Sequence, residues 1–198
     1  MHKILFLPGA GGSAEFWKPA GSRLPVDWRK VYLSWPGLGG EPHDPAVASI
    51  DDLTRRVEVE MNDSVDLVAQ SMGGYIAARL VLAHPGLVRK LVLTVTSGGI
   101  DMAGFGAVDW RPDYRRDFPN AARWITEERV SATLPVERIV APTLLLWGDA
   151  DPISPLAVGQ HLESRMPNAR LHVIRGGEHS LARDRPEEVA SLIAAHLG

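Results

Sequence analysis

The chain has 198 residues, 45% of them hydrophobic and 23% charged, which is the size and balance of one folded domain with a sizeable core. Its 21 Lys and Arg against 24 Asp and Glu leave a formal net charge of −3, so there is no electrostatic footprint for nucleic acid or an anionic membrane. With no cysteine anywhere, disulfides, thiolate nucleophiles, Cys-ligated zinc and Fe–S clusters are excluded and any nucleophile must be an oxygen or a nitrogen; the composition is compatible with a reducing cytoplasm.

Along the chain, short runs of Val, Ile and Leu alternate with longer stretches carrying apolar residues at helical spacing, the pattern of βαβ units around a parallel sheet. Strands are predicted at His2–Leu7, Lys30–Ser34, Ser64–Ala69, Arg89–Val95, Thr143–Trp147 and Arg170–Ile174. None shows polar alternation, so all six are expected to run parallel and to be covered on both faces. The apolar stretch Ile4–Leu7 is far too short to span a bilayer and meets Pro8 without a signal-peptide core. Helices are predicted at Ser13–Leu24, where Pro19 weakens the pattern, and at Ser49–Met61, Met72–His84, Pro155–Met166 and Pro186–Leu197. Proline at the first turn of the last two suits a helix start. Residues 98–141 break the rhythm. They carry Phe105, Trp110, Tyr114, Phe118 and Trp124 among several charges and are expected to form a small cap inserted into a single domain spanning residues 1–198. Within the cap, Arg129–Ile139 has the pattern of a short helix, whereas Asp109–Asn120, with Pro112 and Pro119, is expected to be irregular. No internal repeat or low-complexity tract is present.

The chemistry gathers at strand ends. After the third strand, Ala69-Gln70-Ser71-Met72-Gly73-Gly74 leads straight into the helical run Tyr75–Leu82. A serine on so sharp a strand-to-helix turn is forced into strained backbone, and the residues two before and two after it must be small, as Ala69 and Gly73 are. The same pattern also suits a serine that merely caps a helix. The glycines after the first strand, Gly9-Ala10-Gly11-Gly12-Ser13-Ala14, satisfy a dinucleotide fingerprint. That fingerprint needs an acidic residue at the end of the second strand, where this chain has Leu33-Ser34-Trp35-Pro36. A phosphate-binding Gly-Lys-Ser/Thr is lacking as well. Neither H-E-x-x-H nor a comparable cluster occurs, and His43-Asp44 stands alone in a Pro-rich loop, so no metal and no cofactor is implied.

With its Ser71 turn the chain resembles the α/β-hydrolase family, whose members carry Ser, then an acid, then His in chain order; the first Gly of the usual G-x-S-x-G is Ala69 here. The resemblance runs from His2 to Leu197. It implies a six-stranded parallel sheet in the order 2-1-3-4-5-6 with helices on both faces, lacking the two antiparallel strands that family members generally place first. The stretch Leu144-Leu145-Leu146-Trp147-Gly148-Asp149-Ala150-Asp151-Pro152 is similar to the family's acid turn. That pattern puts Asp151 in the acid position ahead of its neighbour Asp149. Gly176-Gly177-Glu178-His179-Ser180 resembles the histidine loop, making His179 the base and leaving Glu178 as a solvated neighbour. In the loop after the first strand the family usually reads His-Gly-x. Here Pro8 takes the place of that His, and the backbone N–H groups of Ala10 and Met72 are the implied oxyanion-hole donors.

The resemblance thus implies a serine hydrolase that cleaves a small carboxylic ester by way of an acyl-enzyme on Ser71. Thioester, lactone, amide or carbon–carbon hydrolysis, or a non-catalytic ligand-binding module, would be built on the same scaffold. Trp17, Trp35, Trp110 and Trp124 are candidates to line an apolar substrate pocket, or to pack the cap on the body. Arg111, Arg115 and Arg116 would either meet an acidic substrate or carrier or form a solvated face. A cap of about forty residues implies a shallow or open pocket.

Overall fold

A computed structural model describes residues 3–127 and 133–198. Its centre is a six-stranded sheet in the order β2-β1-β3-β4-β5-β6, with every neighbouring pair parallel. The strands are β1 (Lys3–Leu7), β2 (Arg29–Tyr32), β3 (Val65–Gln70), β4 (Val88–Thr94), β5 (Thr143–Gly148) and β6 (Ala169–Ile174), each within two residues of its predicted bounds. Parallel neighbours need crossovers, and the helices α1 (Lys18–Gly21), α2 (Ile50–Glu60), α3 (Met72–Ala83), α6 (Leu156–Arg165), α7 (Leu181–Asp184) and α8 (Pro186–Leu197) supply them or follow the last strand. Two more, α4 (Arg111–Asp117) and α5 (Trp124–Glu127), lie between β4 and β5. Helices α1 and α7 pack on α8, while α2 packs on α3. Right-handed crossovers put these two groups on opposite faces, because the chain reverses direction across the sheet after β2.

The expectation that all six strands are covered on both faces holds in the middle of the sheet and fails at its edges. β3 and β5 are buried along their whole length and β1 at every residue but its first. β2 buries no residue fully, and in β6 only Ile174 is buried. An edge strand has one paired side and lies beyond the cover of the crossover helices, so part of its surface meets water.

The region predicted as one helix from Ser13 to Leu24 is a single 3-10 turn at Ala14–Phe16 followed by the four residues of α1. Pro19 sits in the first turn of α1, where no N–H is needed, and cannot lie inside a longer helix. The same rule corrects the opposite error at residues 109–120. Pro112 opens α4 instead of breaking it, and the helix stops at Asp117, two residues before Pro119. Of the helix predicted at 129–139, residues 129–132 lie outside the described residues, and the remainder contains one 3-10 turn at Val136–Arg138.

The core runs along both faces of the sheet, with Trp17, Trp35, Trp147 and Phe6 its largest fully buried side chains. Each such side chain contributes roughly 1.5–3 kcal/mol through removal of apolar surface from water. Among the described residues no helix is long and apolar enough to cross a membrane.

Candidate active site

Strand order decides where a site can form. β1 connects to β2 on one side and pairs with β3 on the other, so the order reverses between β1 and β3 and opens a crevice at their C-terminal ends. Leu7 is in register with Ala69, which sets Gly9 beside Ser71 one step further on. The approach is close enough to select residue types: a Cβ on Gly9 would lie 2.9 Å from the Ser71 Cβ, and one on Gly73 would lie 2.5 Å from the Pro8 carbonyl oxygen.

Ser71 has φ 53° and ψ −122°, a left-handed conformation that a side chain adopts only under constraint. The constraint is visible in its backbone bonds. Its N–H donates to the Thr94 carbonyl at 3.0 Å, and its own carbonyl accepts from the Gly74 N–H at 2.9 Å and from the Thr96 hydroxyl. Ser71 is therefore held on both sides by the ends of β4 and α3, with its hydroxyl projecting from the turn.

His179 arrives from the loop after β6 and Asp151 from the loop after β5. The His179 Nδ1–H donates to Asp151 Oδ2 at 2.8 Å, and the Ser71 hydroxyl donates to His179 Nε2 at 2.9 Å. A carboxylate can only accept, so the hydrogen sits on Nδ1 and Nε2 keeps the lone pair that faces the serine. The Asp151 side chain is fully buried. Its other oxygen accepts from the N–H groups of Ile153 at 2.8 Å and Ser154 at 3.2 Å, so a loop that turns immediately after the acid orients it. The two arms come together because β5 and β6 end side by side. Gly148 passes so near Gly177 that a Cβ would lie 1.9 Å from the Gly177 oxygen. Asp149, the sequence-adjacent alternative, is exposed and accepts from the Gly176 N–H at 2.6 Å, away from the imidazole.

Ala10 and Met72 face the same space. The Gly9 carbonyl accepts from Gly12 N–H at 3.0 Å, and in a trans peptide the N–H of the next residue points the opposite way, so Ala10 N–H is turned out of that bond. Met72 opens α3, where the N–H has no helical acceptor. Among the described residues neither N–H has a protein partner. The glycine run leads only into the 3-10 turn and the four-residue α1, not the long helix whose N-terminus a dinucleotide phosphate needs.

A cavity of about 900 Å³ lies over Ser71 and His179, with Ala10 and Met72 in its wall. Its volume is at the upper end of small-molecule sites, and it stands broadly open to solvent. Of the tryptophans singled out in the sequence, Trp110 lines it. Trp17 and Trp35 do not. Both are fully buried, with their indole N–H groups donating to the carbonyls of Leu7 at 3.0 Å and Pro8 at 2.7 Å. They support the loop from beneath. Trp124 is half-buried and outside the cavity wall, although its neighbours Ile125 and Thr126 belong to it. Arg111 and Arg115 reach the cavity, the first paired with Asp109 at 3.0 Å and the second donating to the Thr126 hydroxyl at 3.0 Å. The Arg111 backbone N–H, then its guanidinium, hold the Asp109 carboxyl below its usual range. Arg116 lies on the outer face with Asp113 and Asp117.

Three contacts at the site had no local signal in the sequence. The Gln70 side chain, buried beneath the turn, donates to the His179 carbonyl at 3.1 Å. Thr96 braces the Ser71 carbonyl. Tyr114 reaches the Ala10 carbonyl from α4. All join residues 25 or more apart in sequence.

Comparison with known proteins agrees with this architecture. The chain is 24% identical to a pimeloyl-[acyl-carrier protein] methyl ester esterase of Neisseria meningitidis serogroup A, covering 97% of this chain and 75% of that one. It is 27% identical to a poly(3-hydroxyalkanoate) depolymerase of Ectopseudomonas oleovorans, covering 98% and 83%. A hydrolase structure from Pseudomonas aeruginosa superposes with a TM-score of 0.79 at 18% identity, over all of this chain and 90% of that one. Residues 4–134 match the alpha/beta hydrolase family, and with two-thirds of its length so matched, the chain belongs to that family.

Proposed function

We propose that the protein is a serine hydrolase that cleaves small carboxylic esters through an acyl-enzyme on Ser71. The observation that carries this reading is the unbroken hydrogen-bonded line from the Ser71 hydroxyl through His179 to the buried Asp151, at the floor of a cavity. The names of the esterase and depolymerase relatives support ester cleavage.

Serine is a poor nucleophile at neutral pH because its proton must leave as the new bond forms. In the proposed cycle His179 Nε2 takes that proton while the Ser71 oxygen attacks the ester carbonyl. Asp151 holds the imidazole tautomer and stabilises the imidazolium. The carbonyl oxygen gains charge between the N–H groups of Ala10 and Met72, each worth roughly 2.7–4 kcal/mol when well placed. His179 then protonates the departing alcohol oxygen, the C–O bond breaks, and the acyl group stays on Ser71. Water, deprotonated by the same imidazole, reverses the sequence and releases the acid. In this reading residues 98–141 act as a cap on a single domain of residues 1–198, with Trp110 on the substrate side. A cytoplasmic location belongs to the same reading, and a cysteine-free chain is compatible with it.

Labelling with a fluorophosphonate, followed by mass mapping, tests the nucleophile. The adduct is expected on Ser71 and is expected to vanish in Ser71→Ala, with turnover of short-chain p-nitrophenyl esters lost in the same variant. A label that persists in Ser71→Ala would reject the assignment.

A further inference from the structure

Among the described residues two that are not glycine have a positive φ, Ser71 at 53° and Val95 at 40°. The first is the strained turn of the site. The second belongs to no motif, and a β-branched side chain in that region is an outlier that persists only when its surroundings hold it. Val95 is fully buried and directly follows β4, and its N–H still continues the ladder by donating to the Leu146 carbonyl at 3.1 Å. The chain turns there and delivers the next side chain, Thr96, to Ser71.

Thr96 is buried and tied on every side. Its carbonyl accepts from the Ser154 hydroxyl at 3.2 Å, and the Ser154 N–H in turn donates to Asp151. Its hydroxyl oxygen accepts from the Gly98 N–H at 3.1 Å. The Ser71 carbonyl can only accept, so the one hydroxyl hydrogen is directed at it. Gly74 leaves the room for this approach, since a Cβ there would lie 2.5 Å from the Thr96 hydroxyl oxygen.

The Ser71 carbonyl and the Met72 N–H are the two ends of one peptide unit. In a trans peptide they point opposite ways, so whatever fixes the carbonyl also aims the N–H. The carbonyl accepts one bond from Gly74 in α3, at 2.9 Å, and one from Thr96 beyond β4. A single bond lets a peptide pivot about it, whereas two from different elements fix its plane. The strain at Ser71, with ψ at −122°, would relax by rotating this same peptide. We infer that Thr96 is a positioning residue that locks the Ser71–Met72 peptide and thereby aims the Met72 oxyanion donor, with the strained Val95 placing it there. The inference rests on the hydrolase reading above. An oxyanion donor acts only where the charge develops, so releasing this peptide costs transition-state binding and leaves ground-state binding almost untouched.

Thr96→Val removes the hydroxyl and keeps the shape. Thr96→Ala removes it and leaves room for water at the Gly98 N–H, so the fold need not bury that donor unpaired. Deleting an oxyanion donor costs about 10²–10³-fold in kcat; here the donor stays and loses only its aim, so with a short-chain p-nitrophenyl ester both variants are expected to lower kcat about tenfold, with KM within twofold. Affinity for a boronic acid that forms a tetrahedral serine adduct should weaken by the same factor. The pH midpoint of kcat should not move, because the Ser71–His179–Asp151 line is intact. Thr96→Ser, which restores the hydroxyl, should recover most of the rate. A kcat within twofold of wild type in the folded variants, a loss confined to KM, an equal loss in Thr96→Ser, or a loss of kcat without weaker boronate binding would overturn the role of Thr96. No turnover by the wild-type protein, and no label on Ser71, would instead remove the hydrolase reading itself.

Discussion

Replacing Asp151 by Asn changes one atom and exposes how the proposed relay depends on hydrogen-bond polarity. The native carboxylate accepts three bonds, from His179 Nδ1 at 2.8 Å and from the backbone N–H groups of Ile153 and Ser154 at 2.8 and 3.2 Å. An amide has one accepting oxygen and one donating nitrogen. If the oxygen keeps the two backbone donors, the NH₂ faces His179 and the imidazole must turn its lone pair toward it. The hydrogen then moves to Nε2, where it blocks proton transfer from Ser71. If the amide flips, the NH₂ meets the Ile153 and Ser154 N–H groups, leaving buried donors unpaired at roughly 1–3 kcal/mol each. With the Asp151 side chain fully buried, water cannot relieve that conflict, so the first arrangement should prevail. The expected loss in kcat is about 10⁴-fold, the size seen when the acid of such a relay becomes an amide. That equals roughly 5.4 kcal/mol of transition-state stabilisation. Steady-state turnover of a short-chain p-nitrophenyl ester measures it, with thermal unfolding as a check that the fold survives. Asp149→Asn is the matched control, since that carboxylate is exposed and among the described residues accepts only from the Gly176 N–H, and it should cost no more than a few-fold. A folded Asp151→Asn variant with kcat within tenfold of wild type, or equal losses in the two variants, would refute the reasoning.

Two other outcomes follow from the packing. Gly148→Ala places a methyl group 1.9 Å from the Gly177 oxygen. It should destabilise the protein by about 1–3 kcal/mol, the usual range for overpacking, and cut kcat by parting the loops that carry Asp151 and His179; unchanged melting and unchanged turnover would contradict this. His196, half-buried and donating to the Leu91 carbonyl at 3.1 Å, has a lowered pKa because burial disfavours its cation and Lys90 repels it. Its unfolded form takes up a proton first as pH falls, so stability should drop below the ordinary imidazole value of 6.5 and level off once the folded form also protonates. Urea unfolding of wild type and His196→Gln across that range should show a shallower acid slope in the variant, and parallel curves would exclude the effect.

What local chemistry can encode was legible in the residues alone. Continuous aliphatic runs marked the six strands, and the small residues Ala69 and Gly73 around Ser71 marked the sharp turn, because each depends on neighbours a few positions away. Proline misled in one place for the same reason. Pro112 and Pro119 looked like breakers, yet the first opens α4 and only the second lies beyond its end, a distinction that depends on where the helix begins.

The sequence by itself determined the strand runs, the order of Ser71, Asp151 and His179 along the chain, and the turns on which they stand. Their contacts were decided only by the tertiary structure. The partners are 28 and 108 residues apart and meet because parallel pairing brings the ends of β3, β5 and β6 to one edge of the sheet. The same assembly sent Trp17 and Trp35 beneath the Ala10 loop instead of into the cavity and brought Gln70 and Tyr114 to the site from outside any motif. A motif records the local backbone geometry that a residue needs. Which distant groups then fill the space around it is set by how whole strands and helices pack.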